Sequence, residues 1–323
     1  MNQPMRRMKS DTVTLAHGGG GKAMRDLIED VFVSVFEPDG MEDQARLTNA
    51  ALANSGSHLA FTTDGFVVSP LEFPGGDIGK IAVCGTVNDL AVGGAEPLWL
   101  SAAFIIEEGV DVALLRRVVA SMREAADEAN VRIVTGDTKV VERGSADGIF
   151  ITTSGVGIIP PDRNLSADRV QPGDVAIVNG VLGDHGAAIL AARGDMALSV
   201  EIPSDCQPLN ELMNATCDAV DVRAARDATR GGLASALNEI ADAAGCGIEI
   251  SETALPLRTE VKGVCEILGL DPLYLANEGT LVLFVPEEEA ERALDAMRST
   301  AAGKEAVIIG RATTAHPKRV VMQ

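Results

Sequence analysis

The chain has 323 residues, of which 46% are hydrophobic and only 3% aromatic, and its formal net charge is −20. This composition excludes fibrous and intrinsically disordered classes, and it predicts a core of Ala, Val, Ile and Leu in about two domains. Because a phosphate backbone needs a basic footprint, the acidic balance also predicts that neither a nucleic acid nor a membrane is a partner.

Apolar runs alternate with helical patterns along the whole chain, which is typical of α/β domains. The first half predicts, in chain order, Leu59–Thr63 (strand), Ile78–Ala91 (helix), Leu98–Ile106 (strand), Val112–Glu128 (helix), Val131–Thr135 (strand) and Ile149–Ile159 (strand). The second half predicts Asp174–Asn179 (strand), His185–Ala192, Leu209–Ala219 and Leu233–Ala244 (helices), Gly247–Ile250 and Leu281–Val285 (strands) and Glu287–Met297 (helix). Pro160-Pro161 and the polar stretch Asp162–Asp168 are the best linker candidate, so we predict two domains, 1–160 and 161–323.

The cysteines indicate a reducing compartment. They are odd in number, widely spaced and without a CxxC motif: Cys84, Cys206, Cys217, Cys246 and Cys265. This pattern matches neither a disulfide framework nor a zinc ribbon. The basic segment 1–9 is followed by polar residues, and no run of about 18 apolar residues exists to span a bilayer. We therefore expect a cytoplasmic protein.

A glycine-rich loop precedes a helical pattern at 23–36. Its glycines are Gly18, Gly19, Gly20 and Gly21. Such a loop can fold over phosphates, and the N-terminus of a following helix attracts negative charge. The P-loop consensus is absent, and a plain N-terminal linker is an equally good interpretation.

Three acidic positions suggest a cation site. Asp64 and Asp137 follow predicted strands, Asp137 beside Thr138 and Lys139, and Asn88-Asp89 lies on a helix of small residues. An Asp beside Gly is most often a turn residue. Three such acids together favour Mg²⁺ held between carboxylates and the phosphates of a nucleotide. Asn88-Asp89 is the most informative pair, because polar residues in an apolar helix are costly to bury.

The second half carries further candidates. Arg226–Gly232 leads into a helix with two arginines and two glycines, which suits an anion, although a structural Arg–Asp pair explains it equally well. Glu278 precedes a strand and is either a general base or an ordinary turn glutamate. His185 begins a helix as a ligand contact or a cap residue. Motifs of zinc hydrolases, serine hydrolases and papain-like enzymes are absent.

Together these segments resemble the HypE family of hydrogenase maturation factors, in the aminoimidazole-ribonucleotide-synthetase-like (PurM-like) superfamily. The resemblance runs in family order through Leu15–Gly18, Glu42–Leu47, Phe73–Lys80, Asn88-Asp89, Val134–Val141, Gly183–Ala187, Arg226–Gly232 and Ala276–Gly279. It implies a two-domain α/β (α+β) fold of the PurM-like type. An N-terminal domain would pair with its twin in a homodimer to close a β-barrel, and ATP with Mg²⁺ would lie between it and a C-terminal α/β domain.

The resemblance also implies a reaction. Family members dehydrate an S-carboxamide, placed on a C-terminal cysteine by the carbamoyltransferase HypF, to a thiocyanate. The cyano group then passes to iron in the HypC–HypD scaffold that builds the [NiFe]-hydrogenase site. On this resemblance Asp64, Asp89 and Asp137 bind Mg²⁺ and phosphate, and Asn88, Thr138 and the loop Gly18–Gly21 support the nucleotide. Lys139 and Glu278 would orient and deprotonate the carboxamide.

One feature departs from the family pattern. Family members end in Pro-Arg-Ile-Cys, whose thiol carries the carbamoyl group, whereas this sequence ends at Arg319–Gln323 and has no cysteine after Cys265. We expect the sequence to be a piece that stops short of that tail. None of the five cysteines is an obvious substitute, since a small buried cysteine usually serves packing.

Two alternatives stay open at this point. The chain could be another PurM-like phosphorylating enzyme, such as a selenophosphate synthetase or a thiamine-phosphate kinase. The first of these would carry a reactive cysteine in its glycine-rich segment, and 17–22 has none. The chain could also be a non-catalytic maturation scaffold protein, but such a protein should have lost Lys139, Glu278 and the three aspartates.

Overall fold

The computed structural model describes residues 8, 10–17, 23, 26–36, 57–194 and 202–323. Its strands are β1 His58–Phe66, β2 Glu72–Phe73, β3 Gly76–Asp77, β4 Glu96–Glu107, β5 Arg132–Val141, β6 Ile149–Ile159, β7 Val175–Val178, β8 Ala224–Asp227, β9 Gly247–Ile250, β10 Leu281–Val285, β11 Val307–Thr313 and β12 Val320–Met322. Its longer helices are α1 Ile78–Val92, α2 Val112–Glu128, α3 Asp184–Ala192, α4 Asn210–Ala219, α5 Gly232–Ala244, α6 Thr259–Leu268 and α7 Ala290–Arg298. Near the N-terminus a π-helical segment, Ile28–Val33, continues into the α-helical turn Ser34–Phe36.

The first sheet has the strand order β1-β6-β4-β5. Only β4 and β5 run parallel, and α2 connects them as a crossover helix. Helix α1 packs against one face of this sheet and against α2. The side chain of Asp77 caps α1 by accepting a hydrogen bond from the backbone N–H of Lys80 at 2.8 Å. Small residues let α1 approach closely, since a Cβ at Gly85 would lie 2.8 Å from the ring of Phe66.

The second sheet has the order β12-β9-β11-β7-β10-β8 and is antiparallel except for the pair β9–β12. Its two faces are both covered, by one apolar cluster that includes α5 and by another that includes α4 and α7. Strand β10 is buried along its whole length, which fits the continuous apolar run Leu281–Val285. The two sheets draw on residues 58–159 and 175–322, and the domain limits 1–160 and 161–323 stay a prediction.

Most elements of the sequence analysis are confirmed within a few residues. The strand predicted at Val131–Thr135 is confirmed, but its predicted end is wrong, because β5 continues to Val141 and Asp137 lies inside the strand. Gly136 explains the difference: a Cβ there would overlap the carbonyl oxygen of Ala102 on β4, so this glycine permits close strand pairing rather than a turn. Six elements were not predicted: the short strands β2 and β3, and β8, β11, β12 and α6.

The face of the first sheet that lies opposite α1 exposes large apolar side chains. Leu59 is 60% exposed, Phe61 69% and Ile105 40%. Nothing in the described part of the chain covers them. A sheet face of this kind is typical of a surface that packs against another protein.

Among the described residues, no helix combines the length and the apolar composition that a membrane crossing requires. All five cysteines are free thiols, and only Cys217 is not fully buried.

Candidate functional site

A pocket of about 240 Å³ lies between the end of β1, helix α1 and the loop before β10. Four carboxyl groups line it, from four different elements: Asp64 on β1, Asp89 on α1, Asp227 at the end of β8 and Glu278 before β10. Three of these were predicted as site residues from the sequence. Asp227 was interpreted only as part of an anion-binding segment, and the strand that ends at it was missed.

Neighbouring groups hold three of the four carboxyl side chains. The hydroxyl of Thr62 donates to Asp89 Oδ2 at 3.1 Å, and the backbone N–H of Gly65 donates to Asp64 Oδ1 at 2.7 Å. The Glu278 side chain lies against α1, since a Cβ at Gly85 would be 4.0 Å from its Oε2. An alanine at Gly85 would displace the Phe66 ring, at 2.8 Å, and would leave the Glu278 carboxyl group in ordinary van der Waals contact.

The cluster is electrostatically unfavourable without a cation. Burial, reinforced by the charges of Asp227 and Asp64, raises the pKa of Asp89 to about 6. Burial likewise raises the pKa of Glu278 well above its ordinary value, and the neighbouring carboxylates, chiefly Asp205 and Asp227, raise it further. Burial also raises the pKa of Asp227. Close carboxylates that oppose each other's ionisation attract a divalent cation or a cationic side chain.

The side chains of the pocket do not form a complete metal site by themselves, so a metal ion would need further oxygen ligands from a bound molecule. No group of three His, Cys, Asp or Glu side chains in the described residues converges closely enough to hold one. Mg²⁺ is typically bound by one or two carboxylates together with substrate phosphates and water. The donor chemistry of the pocket therefore fits Mg²⁺ that arrives with a nucleotide, rather than a resident metal.

Arg230 and the N-terminus of α5 lie at the edge of the pocket, where they could bind an anion. Arg230 lies 3.4 Å from Asp64 Oδ1 and is 87% exposed on its side chain, so it is free to turn towards a ligand. Gly231 and Gly232 have positive φ angles and begin α5. Both the anion-binding and the structural interpretation of Arg226–Gly232 agree with this geometry.

His185 was a weak candidate, and the structure puts it in the pocket wall. Its Nδ1 lies 2.9 Å from the hydroxyl of Ser204, and its ring meets Phe73 edge to face. Burial lowers its pKa to about 4, so the ring is neutral at physiological pH. It is a fixed, uncharged neighbour of the acidic cluster.

Asn88 does not line the pocket but supports it. Its Oδ1 accepts the backbone N–H of Leu209 at 2.8 Å, and its Nδ2 donates to the carbonyl of Gln207 at 3.1 Å and to that of Glu278 at 3.3 Å. These contacts join α1 to the backbone that carries Glu278. The predicted nucleotide loop Gly18–Gly21 lies outside the described residues.

Asp137, Thr138 and Lys139 are separate from this pocket within one chain. They lie on β5, at the opposite edge of the first sheet from β1. Lys139 Nζ pairs with Asp137 Oδ2 at 2.9 Å, which lowers the pKa of Asp137, and both side chains are more than half exposed. Thr138 is buried because alternate residues of a strand face opposite ways. The predicted trio Asp64, Asp89 and Asp137 is therefore not assembled by a single chain.

Known protein families match both halves of the chain. The families "AIR synthase related protein", N-terminal and C-terminal domain, match residues 42–159 and 171–323. The carbamoyl dehydratase HypE of Rhodobacter capsulatus is 71% identical over 317 residues, covering 98% of this chain and 93% of that protein. The chain belongs to the carbamoyl dehydratase HypE family. Its fold is accordingly the PurM-like fold that the resemblance implied.

Solved structures agree with that assignment. The crystal structure of hydrogenase maturation protein HypE in complex with ATP is 45% identical, with a TM-score of 0.90 over 96% of this chain and 93% of that one. A HypE–HypF complex matches with 48% identity and a TM-score of 0.79, over 92% and 95% of the two chains. These relatives favour neither the other phosphorylating enzymes nor a non-catalytic scaffold protein.

Proposed function

We propose that this chain uses ATP to dehydrate a cysteine S-carboxamide to a thiocyanate, as a carbamoyl dehydratase of [NiFe]-hydrogenase maturation. The observation that carries the proposal is the convergence of Glu278 with Asp64, Asp89 and Asp227 in one pocket. A proton acceptor and a set of cation ligands then lie side by side. This is what an ATP-coupled loss of water from an amide requires.

The reaction needs both the proton acceptor and the cation ligands. An amide oxygen is a poor leaving group, and ATP supplies a phosphoryl group that makes it a good one. Loss of two protons from the nitrogen then leaves the nitrile. Glu278 is our candidate for the base, because its carboxyl group lines the pocket and forms no ion pair within the part of the chain that the structure describes. A bound cation would lower the pKa of Glu278 and return it to the ionised form.

ATP and Mg²⁺ are the proposed cofactors. Support for ATP comes from the related HypE crystallised with it. Support for Mg²⁺ comes from the carboxylates themselves: Asp64, Asp89 and Asp227 offer hard oxygen ligands, and Arg230 would face the phosphates. The loop Gly18–Gly21 stays a candidate for covering the nucleotide.

A second copy of the chain would complete the site. The pocket is smaller than the roughly 300–1,000 Å³ of sites that enclose drug-sized ligands. The edge strand β1 of the first sheet lines this pocket, whereas Asp137 and Lys139 lie on β5 at the other edge. A twin that covers Leu59 and Phe61 and closes a barrel would pair the β5 edge of one copy with the β1 edge of the other. Lys139 of one copy could then orient a carboxamide held beside Glu278 of its partner.

The remaining partners follow the same proposal. HypF would supply the carboxamide, which the HypE–HypF complex of a relative supports. The HypC–HypD scaffold would accept the cyano group, and the free thiols agree with a cytoplasmic location.

Intact mass measurement tests the proposed reaction. The chain is extended beyond Gln323 by a tail that ends in Pro-Arg-Ile-Cys and is carbamoylated by HypF. Addition of ATP and Mg²⁺ should then remove the mass of one water, and omission of ATP should leave the carboxamide unchanged. A carboxamide that persists with ATP present would contradict the proposal. The unextended chain should take up no carboxamide, because its five thiols are buried or partly buried.

Replacing Asp89 by Asn should stabilise the chain without ligand and remove its response to ATP and Mg²⁺. The pKa of Asp89 is about 6 when folded, against 3.8 ordinarily, so the folded chain loses stability as the pH rises from 3.8 towards 6. Removing this charge should raise the free energy of unfolding at neutral pH by about 1–2 kcal/mol, allowing for solvent screening. The gain should vanish near about pH 4, where the wild-type carboxyl is protonated.

Thermal denaturation with and without ATP and Mg²⁺ measures both effects. Asp168→Asn, at an exposed carboxyl group outside the pocket, is the matched control and should behave like the wild type. An Asp89→Asn variant that ATP and Mg²⁺ stabilise as much as the wild type would exclude Asp89 from the cation site.

A further inference from the structure

The segment Ile202–Leu209, which we call the strap, crosses between α1 and the loop that carries Glu278. The backbone N–H of Ser204 donates to the carbonyl of Pro74 at 2.8 Å, before α1, and the strap's last residue is held by Asn88. Cys206 of the strap packs in the same apolar cluster as Cys84 of α1. The strap therefore lies directly behind the acidic pocket, but Asp205 is not among the residues that line it.

Asp205 lies in the middle of the strap. Both oxygens of its carboxylate accept hydrogen bonds from Glu278 or the two residues that follow it. Its Oδ1 accepts the backbone N–H of Glu278 at 3.0 Å, and its Oδ2 accepts that of Gly279 at 3.0 Å. The hydroxyl of Thr280 also donates to Oδ2, at 2.9 Å. A carboxylate that receives two successive backbone N–H groups fixes the orientation of the peptide between them.

The carbonyl groups of the same two residues are held as well. Asn88 Nδ2 donates to the carbonyl of Glu278, and the side chains of Asn179 and Gln207 donate to that of Gly279, at 3.0 and 3.1 Å. Gly279 has to be glycine here, since a Cβ would overlap the backbone carbonyl of Asp205. A glutamate in an ordinary turn does not need hydrogen bonds to every backbone group around it. These contacts therefore hold the backbone of Glu278 in one position.

Holding Glu278 in its ionised form costs free energy, because the carboxylate then points into a group of like charges. Without a fixed backbone, the side chain and its loop would move away from Asp64, Asp89 and Asp227 to reduce the repulsion. A displacement of about 1 Å in a catalytic group can lower a rate about 100-fold. Fixing the backbone is therefore the means by which a repelled base stays beside its substrate.

We propose that Asp205 is a positioning residue for Glu278, acting through the backbone of Glu278 and Gly279 and not by contact with substrate or nucleotide. The proposal rests on the proposed function for its kinetic consequence. Its structural part, that Asp205 holds the two backbone N–H groups of this peptide, stands independently of the reaction.

Asp205→Asn tests it, because the amide keeps the size of the side chain but turns one acceptor into a donor facing a backbone N–H. We expect kcat for dehydration to fall by about 10- to 100-fold, with KM for ATP changed by less than about 3-fold. Asp174→Asn is the matched control: Asp174 is also buried and accepts a backbone N–H, from Gln171 at 2.8 Å. It precedes Val175, which pairs with Val285 at the opposite end of β10 from Glu278. Its kinetics should stay those of the wild type.

A double-mutant cycle separates positioning from general damage. Glu278→Asp keeps a carboxyl group but shortens the side chain, so the group is already misplaced. Adding Asp205→Asn to this variant should therefore lower kcat by a much smaller factor than it does in the wild type. Fully multiplicative losses, or a fall in ATP affinity equal to the fall in kcat, would overturn the proposal.

Hydrogen exchange of the backbone amides tests the structural part of the proposal without an activity assay. In Asp205→Asn the amides of Glu278 and Gly279 should exchange faster, while those of β10 beyond Leu281 stay protected. Unchanged exchange at these two amides would refute the proposal even if the enzyme is slow. If wild-type chain is inactive but the two amides respond, the proposed function fails and the positioning role stands. Thr280→Val, which removes only one donor to Asp205, is the milder variant if Asp205→Asn does not fold, and it should change exchange in the same direction.

Discussion

Replacing Glu278 by Gln should abolish thiocyanate formation and leave ATP binding intact. The amide has the same shape as the carboxyl group but cannot accept a proton, and loss of a general base typically lowers a rate by about 100- to 10,000-fold. Affinity for ATP should hold or increase, because the substitution removes one of four neighbouring carboxyl groups and no cation.

The variant is assayed by the loss of water from the carbamoylated, tail-extended chain, with nucleotide affinity measured by calorimetry. Glu266→Gln, on an exposed position of α6, is the matched control and should keep full activity. Undiminished dehydration by Glu278→Gln would exclude Glu278 as the base. Loss of ATP binding in parallel would assign it to the nucleotide site instead.

Replacing Phe61 by Asp should separate the proposed dimer and lower activity by about 100-fold or more. Phe61 is 69% exposed in the single chain, so a carboxylate there is harmless to the folded monomer. Between two packed sheets the same carboxylate would be buried without a partner, which costs several kcal/mol. The monomer would then lack Lys139 of the twin.

Sedimentation and the dehydration assay measure the two effects together. Ile267→Asp is the matched control, because Ile267 is a similarly exposed apolar residue, at 66%, on α6 of the second half. It should remain dimeric and active. A monomeric, folded Phe61→Asp chain with full activity would show that one copy suffices.

The sequence predicted the acidic residues better than it predicted their arrangement. Asp89 could be found because it interrupts an apolar helix, where a polar residue is costly to bury. Asp64 and Glu278 could be found because each adjoins a predicted strand. Asp227 could not be found in the same way, since β8 is only four residues long and its charged end reads as a turn. Its place in the cluster depends on pairing with β10, about fifty residues later, which no local pattern reveals.

Sequence analysis also could not predict that Asp137 and Asp64 lie apart in one chain. Both were expected at strand ends, where acids from neighbouring strands would meet. The strand order puts them at opposite edges of the sheet, and Gly136 continues its strand instead of ending it. Strand order is set by which apolar faces pack together, so the proposal that a second copy completes the site depends on the fold and not on any local sequence pattern.

Mixed dimers test the shared site most directly. Lys139→Ala and Glu278→Gln chains, each carrying a different affinity tag and the Pro-Arg-Ile-Cys tail, are produced together, and dimers that contain one of each are purified. Each parent homodimer should be inactive. The mixed dimer should regain about half of the wild-type activity, because one of its two sites combines an intact Lys139 with an intact Glu278. A mixed dimer as inactive as its parents would contradict a site shared between two copies.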